Sequence, residues 1–293
     1  MKIPIQKIHD SITTKSGINL FVLRLDKIHP TISGNKWYKL KYNLEEAKKQ
    51  NKETLLTFGG AYSNHIAATA AAGKEFGFKT IGIIRGDELA HPQPFPKGRE
   101  KSKTLKFAEA CGMELHFISR EDYKEEKIPN SLTQQLYNFF LLPEGGTNEL
   151  AIKGCAEIIS HIDIPFNFVC SAVGTGGTIA GIISSLKEDQ KAIGFPVLKG
   201  ANFLKDEIEK LIQEKNNWEL NFDYHLGGYA KHTPELLKFI ADFEKQNNIP
   251  LEQVYTGKML FGIYDLIKKN YFQKNSTVIA IHTGGLQGKL PQP

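Results

Sequence analysis

What most limits the folds open to this chain is the way its hydrophobic period changes along its length. Short apolar runs at Asn19–Leu25, Thr54–Phe58, Thr80–Ile84, Glu114–Ile118, Phe139–Leu142, Phe166–Ser171, Ala192–Leu198 and Thr277–Ile281 read as strands. Between them lie stretches of helical period at Trp37–Gln50, His65–Phe76, Ser102–Cys111, Asn148–His161, Thr178–Leu186, Leu204–Glu214, Pro234–Asn247 and Lys258–Lys268. Strands separated by helices imply crossover connections, and crossovers make parallel sheets covered on both faces. The expected class is therefore α/β with two parallel-sheet units. The change between them is placed near Leu142–Gly146, where LPEGG closes one set of strands and a helix opens. The proline-rich Ala90–Gly98 and the charged Asp122–Pro129 read as loops.

Composition excludes several classes. With 41% hydrophobic and 10% aromatic residues in 293, the chain can build a substantial core and is not disordered. The net charge of +5 is mild and spread out, so it does not argue for nucleic acid, and the basic run Lys97–Lys103 reads as a solvated surface. No apolar run approaches the ~18 residues of a membrane span, and the N-terminus lacks the pattern of a secretory leader. Cys111, Cys155 and Cys170 have no C-x-x-C spacing and read as buried thiols of a reducing compartment. The histidines show no metal-ligand spacing. A soluble cytoplasmic protein without metal, membrane or nucleic-acid partner is expected.

Three glycine-rich places carry the chemistry. In SAVGTGGTIAG, from Ser171 to Gly181, a strand passes through glycines into a helix. Such a turn presents unpaired N–H groups and the positive end of the helix dipole to one point, a seat for phosphate. It matches neither a Walker loop nor G-x-G-x-x-G, so a tight turn without ligand stays open. In GGAYSNH, from Gly59 to His65, a second strand end opens a helix. Ser63 or Asn64 is there a plain N-cap, or the same N–H groups bind a carboxylate while Ser63 and Asn64 face a substrate. In SGNKWYKLK, from Ser33 to Lys41, a turn puts Lys36 in the first turn of a helix with Lys39 on the same face. Lys36 and Lys39 are either a solvated basic face or, where the dipole disfavours a cation, a reactive amine.

A phosphate seat, a reactive lysine and a carboxylate-sized helix end together suggest pyridoxal phosphate, which needs a lysine for its aldehyde, a phosphate cradle and a partner for its ring nitrogen. SGNKWYKLKYNL, GGAYSNH, LPEGGTN, VGTGGTIAG, VYTGK and HTGG, in that order from about residue 20 to 288, resemble the motifs of one family of fold-type II enzymes. That family is the 1-aminocyclopropane-1-carboxylate deaminases and D-cysteine desulfhydrases. The resemblance implies two three-layer αβα domains, residues 1–40 with 147–293 and residues 41–146, with the cofactor in the cleft between them. It implies that Lys36 joins the cofactor's aldehyde and that Asn64 bonds its ring oxygen. Gly174, Thr175, Gly176, Gly177 and Thr178 would hold its phosphate, with Lys39 as a second cation. It makes Ser63, Tyr229 and Tyr255 catalytic, Ser63, Asn64, His65 and the two tyrosines substrate-binding, and the protein a homodimer acting on a small amino acid.

Thr256 and Thr283 narrow the activity. The cyclopropane-opening members carry glutamate and leucine at the matching positions, the glutamate facing the pyridine nitrogen. A carboxylate holds that nitrogen protonated, whereas a threonine hydroxyl only bonds the neutral ring. The weaker electron sink suits loss of an α-proton followed by loss of a β-leaving group. The expected reaction is α,β-elimination from D-cysteine, giving pyruvate, ammonia and sulfide. Cyclopropane deamination, or lysis of another β-substituted amino acid, is the alternative.

Overall fold

The computed structural model describes residues 2–87, 101–133 and 138–290. Ten strands form two sheets. One sheet contains β1 (Ile5–Lys7), β2 (Asn19–Leu23), β7 (Phe168–Val173), β8 (Lys191–Pro196), β9 (Trp218–Leu220) and β10 (Thr277–Ile281), in the order β1-β2-β10-β7-β8-β9. All its neighbours are parallel except the β1–β2 pair. The other contains β3 (Thr54–Gly59), β4 (Lys79–Arg85), β5 (Met113–Ile118) and β6 (Phe139–Leu142), ordered β5-β4-β3-β6 and wholly parallel.

Both faces of the large sheet are buried, as continuous apolar strands require. Side chains alternate between two cores: Val278 and Ala280 of β10 join one, Ile279 and Ile281 the other. Leu20 and Val22 of β2 enter the first core and Leu23 the second. In the small sheet, Leu55 and Leu56 of β3 likewise face opposite clusters.

Each expected strand is present, with ends shifted by a few residues. The N-terminal run stops at Leu23, because Leu25–Lys27 turns into a short 3-10 helix. Two edge strands, β1 and β9, were not legible: each has three residues, too few to show a period. Part of the expected loop Asp122–Pro129 is instead the end of a helix, Arg120–Lys124. Ser119 caps it, its Oγ accepting from the Asp122 N–H, and Glu121 and Asp122 lie in its first turn, so the charge run is a helix start. The helix expected over Asn148–His161 runs from Glu149 to Ala156 and tightens to 3-10 over Glu157–His161. The loop at Ala90–Gly98 and most of the Lys97–Lys103 run lie outside the described residues. No helix among the described residues is long and apolar enough to cross a membrane.

Candidate active site

Four strands deliver their C-terminal ends to one cleft of about 530 Å³. β3 leads to Ser63, Asn64 and His65, β6 to the turn Glu144–Gly146, β7 to Gly174, and β10 to Thr283. Crevices at the carboxyl ends of parallel strands are where open α/β sheets bind ligands. Lys36, Lys39, Ser63, Asn64, His65, Gly174, Thr175, Gly176, Thr178, Tyr229, Tyr255 and Thr283 all line this cleft. Of the residues singled out from sequence, Gly177 and Thr256 lie behind its wall. Arg85 and Glu144 line it too and were not singled out.

The lysines owe their position to Gly34, which precedes the helix Asn35–Lys49. Its φ is +70°, and a Cβ there would stand 1.9 Å from the carbonyl oxygen of Thr283, so no side chain fits. Lys36 and Lys39 then point together: both Nζ atoms donate to the Gly145 carbonyl, at 3.2 and 2.9 Å. Lys39 also donates to Thr147 Oγ1 at 2.9 Å and Thr175 Oγ1 at 3.4 Å. Burial pushes the Lys39 ammonium down to about 8. Lys36 falls far below the usual lysine range, through burial first and the Lys39 charge second. These two effects, and not the helix end that the sequence suggested, are the causes that lower it. Neither lysine has a carboxylate partner among the described residues; their Nζ atoms bond to a carbonyl and hydroxyls only.

An uncapped helix start lies beside them. Gly176, at φ +82°, opens the helix Gly177–Ser184, which has no side-chain cap, so its first N–H groups remain available. A Cβ on Gly177 would meet Thr147 at 2.8 Å and Lys39 Nζ at 3.1 Å, which keeps this turn against the lysine. Thr175 and Thr147 hydroxyls lie 2.7 Å apart, and Asn35 Nδ2 donates to Thr178 Oγ1 at 2.7 Å.

On the facing wall the two readings of Ser63 coexist. Its Oγ accepts from the Ile66 N–H, but at 3.4 Å, a long contact, while the residue lines the cleft. Asn64 Oδ1 accepts from Gln287 Nε2 at 2.7 Å. The His65 ring is 1% exposed, with Nε2 at 2.8 Å from Thr57 Oγ1. Thr57 donates its hydroxyl proton to the Leu142 carbonyl at 2.9 Å, so Nε2 of His65 must be the donor in that pair. Its Nδ1 is left as a bare acceptor without a partner among the described residues. Burial, then the charges of Lys36 and Lys39, hold the ring neutral.

Tyr229 and Tyr255 meet edge to face, ring centroids 6.1 Å apart. Burial raises the pKa of both, so their hydroxyls stay protonated donors. Thr283 reaches the cleft with a hydroxyl that bonds to nothing among the described residues. Thr256 is fully buried, and its hydroxyl donates to Glu252 Oε1 at 3.1 Å. Glu252 also accepts from the backbone N–H groups of Val254, Tyr255 and Thr256 at 2.6, 2.8 and 2.6 Å, closing the start of the helix Thr256–Lys268. Sequence reasoning passed over Glu252, although an acid just ahead of a helix was a readable signal.

An uncapped glycine-lined helix end, a buried and a half-buried lysine and a bare histidine nitrogen fit a phosphorylated carbonyl cofactor. Comparison with known proteins agrees. The family described as pyridoxal-phosphate dependent enzyme matches residues 4–284. The chain is 30% identical to the bifunctional D-cysteine desulfhydrase/1-aminocyclopropane-1-carboxylate deaminase of Arabidopsis thaliana mitochondria, over 93% of this chain and 74% of that one. It is 24% identical to a D-cysteine desulfhydrase of Klebsiella pneumoniae, over 92% and 87%. A crystal structure of an ACC deaminase homologue superposes with a TM-score of 0.85 at 27% identity, covering 98% of this chain and 90% of that one.

Proposed function

We propose, from the premise that this chain belongs to the pyridoxal-phosphate-dependent enzyme family, that it is a lyase removing the β-substituent and amino group of a small amino acid, D-cysteine foremost. The cofactor, when bound, supplies an aldehyde that links to amines and a ring that draws electron density from the substrate's α-carbon. Lys36 is the residue we assign to that aldehyde. Burial and the Lys39 charge lower its pKa and so favour the neutral amine, the form able to bond a carbonyl carbon and to take the α-proton. Ser63 Oγ is the second candidate for that proton.

We assign Gly174 to Thr178 and Lys39 to the phosphate, within the unit of residues 1–40 and 147–293. Ser63, Asn64 and His65, from residues 41–146, face the substrate, Asn64 also bonding the ring oxygen. The bare Nδ1 of His65 accepts a proton donor and repels a carboxylate. Tyr229 and Tyr255 offer protonated hydroxyls to the substrate or its leaving group.

The observation that carries the choice of reaction is the free hydroxyl of Thr283. We place the contact to the ring nitrogen there, with Thr256 behind it. Glu252, the buried acid on that side, has both carboxylate oxygens occupied by N–H groups of its own helix start. A hydroxyl leaves the ring a moderate sink, enough for an acidic α-proton and a thiolate leaving from Cβ. The name of the Arabidopsis relative joins both activities, so cyclopropane opening is the second reading. Keto-acid release from D-cysteine, L-cysteine and 1-aminocyclopropane-1-carboxylate by cofactor-loaded protein decides between them. Pyruvate and sulfide from D-cysteine without 2-oxobutanoate from the cyclopropane is expected; 2-oxobutanoate overturns the argument from Thr283. The homodimer and the cytoplasmic location rest on resemblance and composition alone, and sedimentation tests the first.

A further inference from the structure

Lys258 is 1% exposed and sits in the first turn of the helix Thr256–Lys268, where both burial and the helix dipole disfavour a cation. Its Nζ donates to the carbonyls of His225 at 2.8 Å and Gly228 at 2.7 Å. The segment so held contains two strained residues, Leu226 and Ala230 at φ 48° and 57°, flanking Gly227 and Gly228 at 94° and 108°. Non-glycine residues in that region persist only where their surroundings impose it. Internal hydrogen bonds from the Gly228 N–H to His225 O and from the Lys231 N–H to Gly228 O shape the loop, but they do not fix it to the body of the protein.

The loop carries Tyr229, and the helix carrying Lys258 begins directly after Tyr255. One ammonium thus ties the backbone on either side of the tyrosine pair across the cleft wall. We propose that Lys258 is a positioning residue for Tyr229: its two bonds hold residues 225–228 so that the Tyr229 ring stands against Tyr255. This rests on the reading that the two tyrosines face the substrate. A buried lysine that served only the helix would need no contact with two carbonyls of a strained neighbouring loop.

The test has two arms. In cofactor-free protein, Lys258→Met should speed tryptic cleavage after the exposed Lys231, while Lys258→Arg, which keeps the charge, restores much of the protection. The expected acceleration is about tenfold, the scale of losing one charge-assisted hydrogen bond that closes a loop. In loaded enzyme, Lys258→Met should lower kcat/KM by about tenfold or more, yet in a Tyr229→Ala background it should change nothing further, because residues acting through one another are not additive. Cofactor content should match wild type in each variant. Unchanged cleavage overturns the staple; additive losses show that Lys258 acts elsewhere than through Tyr229. If Lys258→Met does not fold, Lys258→Gln, a shorter side chain that keeps an N–H donor, is read by the same criteria. Should wild-type protein turn over none of the amino acids above, the reading of the reaction fails, while the cleavage arm still decides the role of Lys258.

Discussion

Lys39 makes the affinity for a phosphate-bearing ligand depend on pH in a calculable way. Its ammonium titrates at about 8 in the folded chain, against 10.5 for a free lysine. The difference corresponds to about 3 kcal/mol for keeping the charge, at about 1.4 kcal/mol per pH unit. The side chain is 2% exposed, so solvent screening takes little from that figure. Because the folded value lies below the unfolded one, the cost is present in full below pH 8. It is relieved between about 8 and 10.5, where this group alone makes the cofactor-free protein more stable as pH rises. A phosphate dianion beside Lys39 reverses the effect by favouring the charged form. Binding then takes up a proton, and affinity should fall about tenfold between pH 7 and 9. Pyridoxine 5′-phosphate is the suitable probe, since it lacks the aldehyde and forms no bond to Lys36; calorimetric titration gives its affinity. Ring ionisations of the probe are shared by all variants and cancel in ratios. The ratio of wild type to Lys39→Arg, whose guanidinium stays charged at both values, should fall about tenfold from pH 7 to 9. Lys39→Met should bind weakly at pH 7 and show no such fall relative to Lys39→Arg. A constant ratio of wild type to Lys39→Arg would refute the placement of Lys39 against the phosphate.

Other consequences concern single positions. Borohydride reduction of loaded protein should fix the cofactor to the peptide bearing Lys36, and Lys36→Ala should leave no fixed lysine; mass spectrometry of digests reads both. Gly34→Ala combines a positive φ with a Cβ 1.9 Å from the Thr283 carbonyl. It should lower unfolding free energy by more than about 2 kcal/mol in urea titrations. The two threonines should separate by assay. Thr283→Val should reduce kcat/KM about tenfold, one hydrogen bond to the ring, at unchanged stability. Thr256→Val, which takes a donor from buried Glu252, should instead cost about 1–3 kcal/mol of stability.

Elements were legible in the sequence where a period could accumulate, as in the helices over Asn35–Lys49 and Pro234–Asn247 and in every strand of the small sheet. They were not legible where three residues pair only because a neighbouring strand offers an edge, as β1 and β9 do. Within the site, glycines and lysines could be found because they are unusual locally: a lysine at a helix start, a strand ending in glycines. What the sequence could not assign is the direction of a hydroxyl. By its match to the deaminases' glutamate, Thr256 was expected to meet the ring nitrogen and Thr283 only to agree with it. Yet it is Thr283 whose hydroxyl reaches the cleft, while that of Thr256 is turned to Glu252. Their difference depends on Glu252, four residues ahead of one of them, whose burial makes it collect every donor within reach.

The same competition for donors shows which groups of the cleft are left for a ligand. Buried polar atoms elsewhere in the site are matched within the chain: Thr57 to Leu142, Asn35 to Thr178, Glu252 to its helix. The unmatched ones are the N–H groups ahead of Gly177–Ser184, the Nδ1 of His65 and the hydroxyl of Thr283. Each lies on a different wall, and together they ask for an anion, a proton donor and a weak acceptor held at fixed separation. A free amino acid supplies no phosphate and a free phosphate no ring nitrogen. A phosphorylated heteroaromatic such as pyridoxal phosphate would satisfy the proposed anion seat and the Thr283 hydroxyl together. Lys36 lines the same cleft, which is the ground for the proposal that it bonds the aldehyde and removes the α-proton.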